Sequence, residues 1–331
     1  MPRVSVAIPV YNGENYLAHA LDSILVQTFT DFELVISDNA STDRTEEICR
    51  EFMRKDARIR YFRNAQNLGA APNYNRCIDL AVGEYFKWAA HDDVCLPNYL
   101  KLCVNLLDSD DSIVLCHTAT RFIDASGATI GDYTLEDNRF ASSDPIERFH
   151  NTIDQEHWCV SSFGLMRRDV LLNSVKIASY IGSDRNLLAD LALQGRIVHI
   201  PSVQFLSRDH AERSIRALEI HERGPWFDTA NPASGKYLTF RLLLEHIRLL
   251  FRRPLAFRDR GRGLFGLFRW GWRTRKMLRR EILLIPGLKE ILLILGAKKI
   301  LRIFRAAASA LRHNSESHKC AAKDSVGPAS T

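Results

Sequence analysis

A doubly wound, mostly parallel α/β sheet is the fold class this sequence predicts, and three observations predict it. Short runs rich in Val and Ile alternate with segments whose apolar residues recur at helical spacing, the pattern of strands joined by crossover helices. Each strand-like run ends in a polar loop. The chain has 331 residues, 46% hydrophobic and 25% charged, which suits one large domain with an appendage and excludes wholesale disorder.

The elements follow in order. Val4–Val10 is an apolar run closed by Asn12–Gly13, which reads as a buried strand entering a turn. From Asn15 onward, Leu17, Leu21, Ile24 and Leu25 share one helical face. Phe32–Ser37 is a second strand, and Asp38–Asn39–Ala40–Ser41 is its loop. A helix is expected from Thr42 or Asp43, whose oxygens suit an N-cap, with Glu46 and Glu47 in its first turn. Ile59–Phe62 is a third strand, Asn67–Leu68–Gly69 a turn, and Asn73–Ala81 a helix. Glu84–Ala90 is a fourth strand that runs directly into His91–Asp92–Asp93. Beyond it, Pro97–Leu107 reads as a helix, Ile113–Phe122 as a strand and Asp124–Gly127 as a hairpin-like turn. Asp184–Gln194 reads as a helix and Arg196–Leu206 as a strand.

Parallel sheets bind ligands beyond the carboxyl ends of their strands. Tyr11–Asn12, Asp38–Asn39, Asn67–Gly69 and Asp92–Asp93 all fall at that end, and their convergence marks a site. Two adjacent carboxylates at a buried strand end are costly unless a cation or hydrogen-bond donors compensate them. Hard cations such as Mg²⁺ and Mn²⁺ take carboxylate oxygens and keep positions open for phosphate. Asp92–Asp93 therefore reads as a metal site, or as an N-cap pair ahead of Leu96–Pro97. Asp38 suits a base imide or a ribose hydroxyl, or equally an Asx turn. Asp184 is a general base or an ordinary N-cap, and His210 is a third metal ligand or a plain surface histidine.

The strings VSVAIPVYNGENYLAHALDSILVQTFTDFELVISDNASTD, NLGAAPNYN, GEYFKWAAHDDVCLPNYL, SDRNLLADLAL and FLSRDH carry a resemblance. Residues 2 to about 215 resemble the inverting family 2 glycosyltransferases of the bacterial surface-polysaccharide type, which have the GT-A fold. The resemblance implies that Pro9, Tyr11 and Asn12 line the nucleobase and ribose pocket. It implies that Asp38 hydrogen-bonds the base, with Asn39 and Ser41 supporting that loop and Asn67 and Gly69 bordering the nucleotide. The family's D-x-D element matches Ala90–His91–Asp92, with Asp93 following, so Ala90 stands where the first aspartate is usual. Metal duty, for Mg²⁺ or Mn²⁺, then falls on Asp92 or Asp93, with His91 beside the nucleotide. The family's E-D element matches Ser183–Asp184, making Asp184 the base, and its R-x-H element matches Arg208–Asp209–His210. That places Arg208 near the phosphates and His210 at the metal.

The implied enzyme moves a sugar from a nucleotide-diphosphate sugar (UDP first, then dTDP or GDP) to a saccharide or lipid-linked acceptor, in one inverting displacement. Two other readings stand beside it. A degenerate nucleotide-sugar-binding module is favoured by Ala90; a sugar nucleotidyltransferase is disfavoured because its first loop, YNGEN, holds no basic residue. The expected division is a catalytic domain over 1–215, with a nucleotide half to about 110 and an acceptor half from about 111. A basic helical extension over 216–313 and a disordered tail over 314–331 would follow.

The charge is split between two regions. Residues 241–313 hold 19 Lys/Arg against 4 Asp/Glu, whereas residues 1–240 hold 24 against 33. Within the basic region the apolar stretch Ile282–Leu295 contains Pro286, Lys289 and Glu290, too short and too charged for a span of about 20 apolar residues. Arginines beside Phe268, Trp270 and Trp272 suit helices lying in an anionic membrane interface. Packing on the catalytic domain or on another subunit is the alternative. Nucleic acid is disfavoured, since apolar runs do not serve a phosphate backbone. The seven cysteines lack C-x-x-C spacing and read as core residues. With no leader evident at the first residues, a cytoplasmic enzyme on the inner face of the membrane is expected.

Overall fold

A computed structural model describes residues 1–133, 138–154, 159–213, 216, 222–230 and 237–284. Val4–Val10 (β1) is buried along its whole length, as a central strand covered by helices on both faces must be. It pairs in parallel with Phe32–Asp38 (β2) and Tyr85–Trp88 (β4), and β2 pairs in parallel with Ile59–Arg63 (β3). Leu17–Leu25 (α1), Thr45–Lys55 (α2) and Ala70–Leu80 (α3) form the crossovers. The third helix begins three residues before the expected Asn73. Gly69, at φ 88°, turns the chain straight into it.

The remaining elements are Val94–Cys95 (β5), Tyr99–Ser109 (α4), Ile113–Ile123 (β6), Thr129–Tyr133 (β7), Pro145–Asp154 (α5), Leu165–Arg167 (β8), Arg168–Leu172 (α6), Ser183–Gln194 (α7) and Arg196–Arg208 (β9). The sheet runs β3-β2-β1-β4-β8-β6-β9-β5, with β7 beside β6. Strand β8 is antiparallel to both β4 and β6 and joins the two halves, while β6 and β9 are parallel. The sheet is thus mostly parallel, as predicted. Val6, Ile8, Leu21, Leu34 and Val104 fill one face, and Val35, Phe86, Trp88, Leu187 and Leu191 fill the other.

Four helices follow: Arg223–Phe227 (α8), Leu238–Arg252 (α9), Phe257–Arg273 (α10) and Arg275–Leu284 (α11). The first compact unit runs from Met1 to Thr274, past the division expected near 215. Leu249, Leu250 and Leu267 join Ile146, Phe149, Ile153, Ala189 and Leu193 in a buried cluster, so α9 and α10 pack on α5 and α7. Glycine makes the approach close: a methyl group at Gly263 would lie 2.6 Å from the Leu250 side chain. Helix α11 opens a second unit. The rest of the apolar stretch Ile282–Leu295, the basic residues after it and the tail 314–331 lie outside the described residues. Six of the cysteines are buried, and Cys320 also lies outside the described residues. No helix among the described residues is long and apolar enough to cross a membrane.

Candidate active site

The loops after β1 and β2 are laced together by polar side chains. Asn12, at φ 51°, donates its N–H to Ser41 Oγ at 2.9 Å and accepts from Thr42 N at 2.8 Å. Gly13 N donates to Thr45 Oγ1 at 2.8 Å, and Glu14 N to Asp43 Oδ2 at 3.0 Å. Tyr11 is exposed at the rim, whereas Pro9 lies inside β1, buried and in register with Ser37.

Asp38 is fully buried. Its Oδ1 accepts from Ser41 N at 2.8 Å, and its Oδ2 accepts from Tyr61 Oη and Arg63 Nη1, both at 2.6 Å. Burial and this carboxylate push the Tyr61 hydroxyl well up. With three donors of the chain on it, Asp38 shapes its own loop. Asn39 organises the third loop. Its Nδ2 donates to Asn67 Oδ1 at 2.8 Å and to Gly69 O at 3.1 Å, while its Oδ1 accepts from Leu68 N and Asn64 Nδ2. A strap over residues 222–230, unforeseen in the sequence, crosses this loop. Thr229 Oγ1 donates to Asn67 O at 3.2 Å, and a methyl at Gly69 would lie 2.7 Å from Asp228 Cα.

The two adjacent aspartates separate after β4. Asp92 Oδ2 lies 2.9 Å from His210 Nε2, and both side chains are mostly buried. Burial alone would raise the Asp92 carboxyl. The hydrogen bond from His210 and the charge of His91 overcome that and hold it below its ordinary range. An ionised carboxylate only accepts, so Nε2 carries the proton. Asp93 turns inward and accepts from Arg208 N at 2.8 Å. Burial and the Asp92 charge push its carboxyl up to about 7.

Arg208 departs from expectation. Its side chain is buried and donates to Asp92 O at 3.0 Å, Asp124 O at 3.0 Å and Ala125 O at 3.2 Å, with its guanidinium 4.7 Å from the Tyr16 ring centre. These carbonyls hold it as a brace between loops. Tyr16 also packs on His210, ring centres 4.8 Å apart. Arg213, which the sequence reading passed over, bears on the charges of both Asp92 and Asp93, and its buried Nη1 has no hydrogen-bond partner among the described residues.

Asp184 stands in the first turn of α7, after Gly182 at φ 82°, and accepts from Arg185 N at 2.9 Å. Burial raises the Tyr74 hydroxyl, and the charges of Asp92, Asp93 and Asp184 add to the effect. His91 packs against Gly13, where an added methyl would lie 2.9 Å from the imidazole. Among the described residues no group of three His, Cys, Asp or Glu side chains converges as a metal cage.

A mostly parallel sheet with polar loops knitted at its strand ends, and a carboxylate–imidazole pair beside them, defines an α/β protein with a ligand site at the carboxyl ends of its strands. Residues 5–173 match the family described as Glycosyl transferase family 2. The chain belongs to that family.

An uncharacterised glycosyltransferase of Rickettsia typhi is 39% identical over 118 residues, 35% of this chain and 36% of that protein. Chondroitin synthase of Escherichia coli is 33% identical over 132 residues, 40% of this chain and 19% of that protein. The matched stretch thus spans about a third or less of these relatives' length. Among solved structures, S. aureus TarS residues 1–349 in complex with UDP-GlcNAc aligns with TM-score 0.61 at 16% identity, covering 85% of this chain and 79% of that one. The mannosyltransferase PcManGT from Pyrobaculum calidifontis, in complex with GDP-Man and Mn²⁺, aligns with TM-score 0.54 at 17% identity, covering 94% and 81%. At these identities the likeness establishes the fold, which is GT-A.

Proposed function

We propose that this enzyme moves a sugar from a nucleotide-diphosphate sugar to a hydroxyl of a saccharide or lipid-linked acceptor, in one displacement that inverts the anomeric centre. The observations that carry the reading are the buried Asp92–His210 pair, 2.9 Å apart after β4, and the hydrogen bonds that knit the loops after β1, β2 and β3. The UDP complexes of TarS favour a UDP sugar, and the PcManGT complex keeps GDP open. Asp184 takes the proton of the acceptor hydroxyl as that oxygen attacks the anomeric carbon from the face opposite the nucleotide. Asn12, Asn39, Ser41, Asn67 and Gly69 wall the nucleoside pocket, while Asp38 fixes their backbone from beneath. Arg213, with its unengaged Nη1, replaces Arg208 as the arginine that meets the diphosphate.

A divalent cation fits the donors present. Mg²⁺ or Mn²⁺ at a phosphate site takes one or two protein ligands and fills its shell with phosphate oxygens and water, so Asp92 with His210 is a sufficient set and a full cage is not required. When bound, the ion supplies positive charge against that developing on the departing diphosphate. Asp93 is left to hold β9 through Arg208 N, with no metal duty. A lipid-linked acceptor would set the enzyme in the cytoplasm, peripheral on the inner face of the membrane.

Nucleotide release from UDP, dTDP and GDP sugars, measured with and without metal and acceptor, tests the reaction. Asp184→Asn should lower transfer by about 10²- to 10⁴-fold while donor binding is retained. Transfer unchanged in that variant would remove Asp184 from the mechanism.

A further inference from the structure

Helix α10 divides its circumference into three arcs. With 3.6 residues per turn, Phe257, Leu264, Phe265, Phe268 and Trp272 fall within about 100° of one another. All five are between 38% and 90% exposed. The far side, Gly263, Gly266 and Leu267, is buried against α5 and α9. Between these arcs lies a row of exposed arginines, Arg258, Arg262, Arg269 and Arg273. Arg262 pairs with Asp144 and Arg273 with Asp154, whereas Arg258 and Arg269 have no ionic partner among the described residues. The neighbouring helix adds Phe251, 60% exposed.

We propose that this arc is a membrane-docking face, taking the surface of an anionic bilayer with its aromatics below the headgroups and its arginines among them. The proposal deepens the acceptor reading above by naming the face that meets the lipid. A solvated helix has no cause to set four aromatics and a leucine side by side outward while its opposite face is already packed. Phe and Trp flanked by arginine are the composition of an interfacial helix. A second copy of the chain is a poor occupant, because an isologous contact would bring the two rows of arginines together. Because α10 is fixed to α5 and α9, docking would orient the whole catalytic unit on the membrane.

Co-sedimentation of the full chain with vesicles of phosphatidylcholine, with and without phosphatidylserine, tests this. Binding is expected only to the anionic vesicles and should weaken with salt. Arg258→Glu with Arg269→Glu should weaken it by about 30-fold or more, and Phe265→Ser with Phe268→Ser should also abolish most of it. Brominated lipid tails should quench fluorescence in the parent beyond the level in Trp272→Phe. Both double variants keep residues 275–331, so binding through that basic region alone would survive them and overturn the proposal. So would equal binding to neutral vesicles, or a sedimentation shift showing that the aromatic variant has lost a dimer. Metal-dependent donor binding, measured without vesicles, is expected unchanged in these variants. It reports separately on the transferase reading.

Discussion

Replacing Arg253 with methionine removes both donors of a fork from the fully buried carboxylate of Asp190. Arg253 Nε donates to Oδ1 and Nη2 to Oδ2, each at 2.6 Å, and the arginine side chain is itself only 12% exposed. Asp190 retains Val175 N as a donor at 2.9 Å. A buried ion pair broken on one side costs about 3–5 kcal/mol, because a charge is left in a medium that does not solvate it. Against a typical domain stability of about 5–15 kcal/mol, that leaves Arg253→Met marginally folded. The double variant Asp190→Leu with Arg253→Met removes both charges and should recover most of the loss, since a well-packed apolar pair is often neutral or better. Urea unfolding followed by tryptophan fluorescence and circular dichroism measures all three proteins. A cost below about 1 kcal/mol for Arg253→Met would refute the reasoning. The bridge would then be solvent-screened, and α9 and α10 would form an appendage that the catalytic unit does without.

Three other outcomes are expected. Asp92→Asn should abolish metal-dependent donor binding in calorimetry, while Asp93→Asn should keep it within a few-fold; the reverse result would exchange their roles. Gly69→Ala should destabilise the protein by about 1–3 kcal/mol and weaken donor affinity, because φ 88° strains any side chain and its methyl would strike the strap at Asp228; an unchanged melting temperature and affinity would place the strap away from the pocket. His246 is buried between Phe149 and Trp270, and burial, with Arg185 nearby, pushes its imidazole down to about 3. A depressed folded pKa means the unfolded chain binds the proton first, so this stability is present above about pH 6.5 and is lost as pH falls toward 3. Between pH 6.5 and 5 the loss is about 2 kcal/mol, so His246→Leu should fall less steeply than the parent by that amount in urea titrations at the two pH values. Parallel slopes would show that the ring is already hydrated.

The strands of the N-terminal half were legible because they are buried on both faces, so β1, β2 and β4 stand out as apolar runs ended by polar loops. Strands β5 and β8 have two and three residues and carry no period at all. They exist because β9 and the β4–β6 pair offer edges to them, which is a tertiary fact. Helix α10 lay between these cases. Composition marked it as basic and aromatic, yet only its neighbours decide which arc is packed and which is left outward.

The aspartate pair shows where local reasoning stops. Asp92 and Asp93 lie in the loop between β4 and β5, where no strand period decides which side chain faces outward. The deciding partners are Arg208 N and His210 Nε2, more than a hundred residues away in the chain. The same distance hid the fate of Arg208. A free arginine after a strand suits a diphosphate, but the carbonyls of Asp92, Asp124 and Ala125 close around this one only when β6 and β9 pair. The absence of an aspartate at position 90 then matters less than it first seems to. With Asp93 engaged in the fold, the cleft keeps a single carboxylate beside a single imidazole, and a diphosphate donor can supply the remaining oxygens. A site built this way should bind metal weakly alone and tightly with donor. Calorimetry with Mn²⁺ before and after adding UDP checks that coupling, and tight metal binding without nucleotide would contradict it.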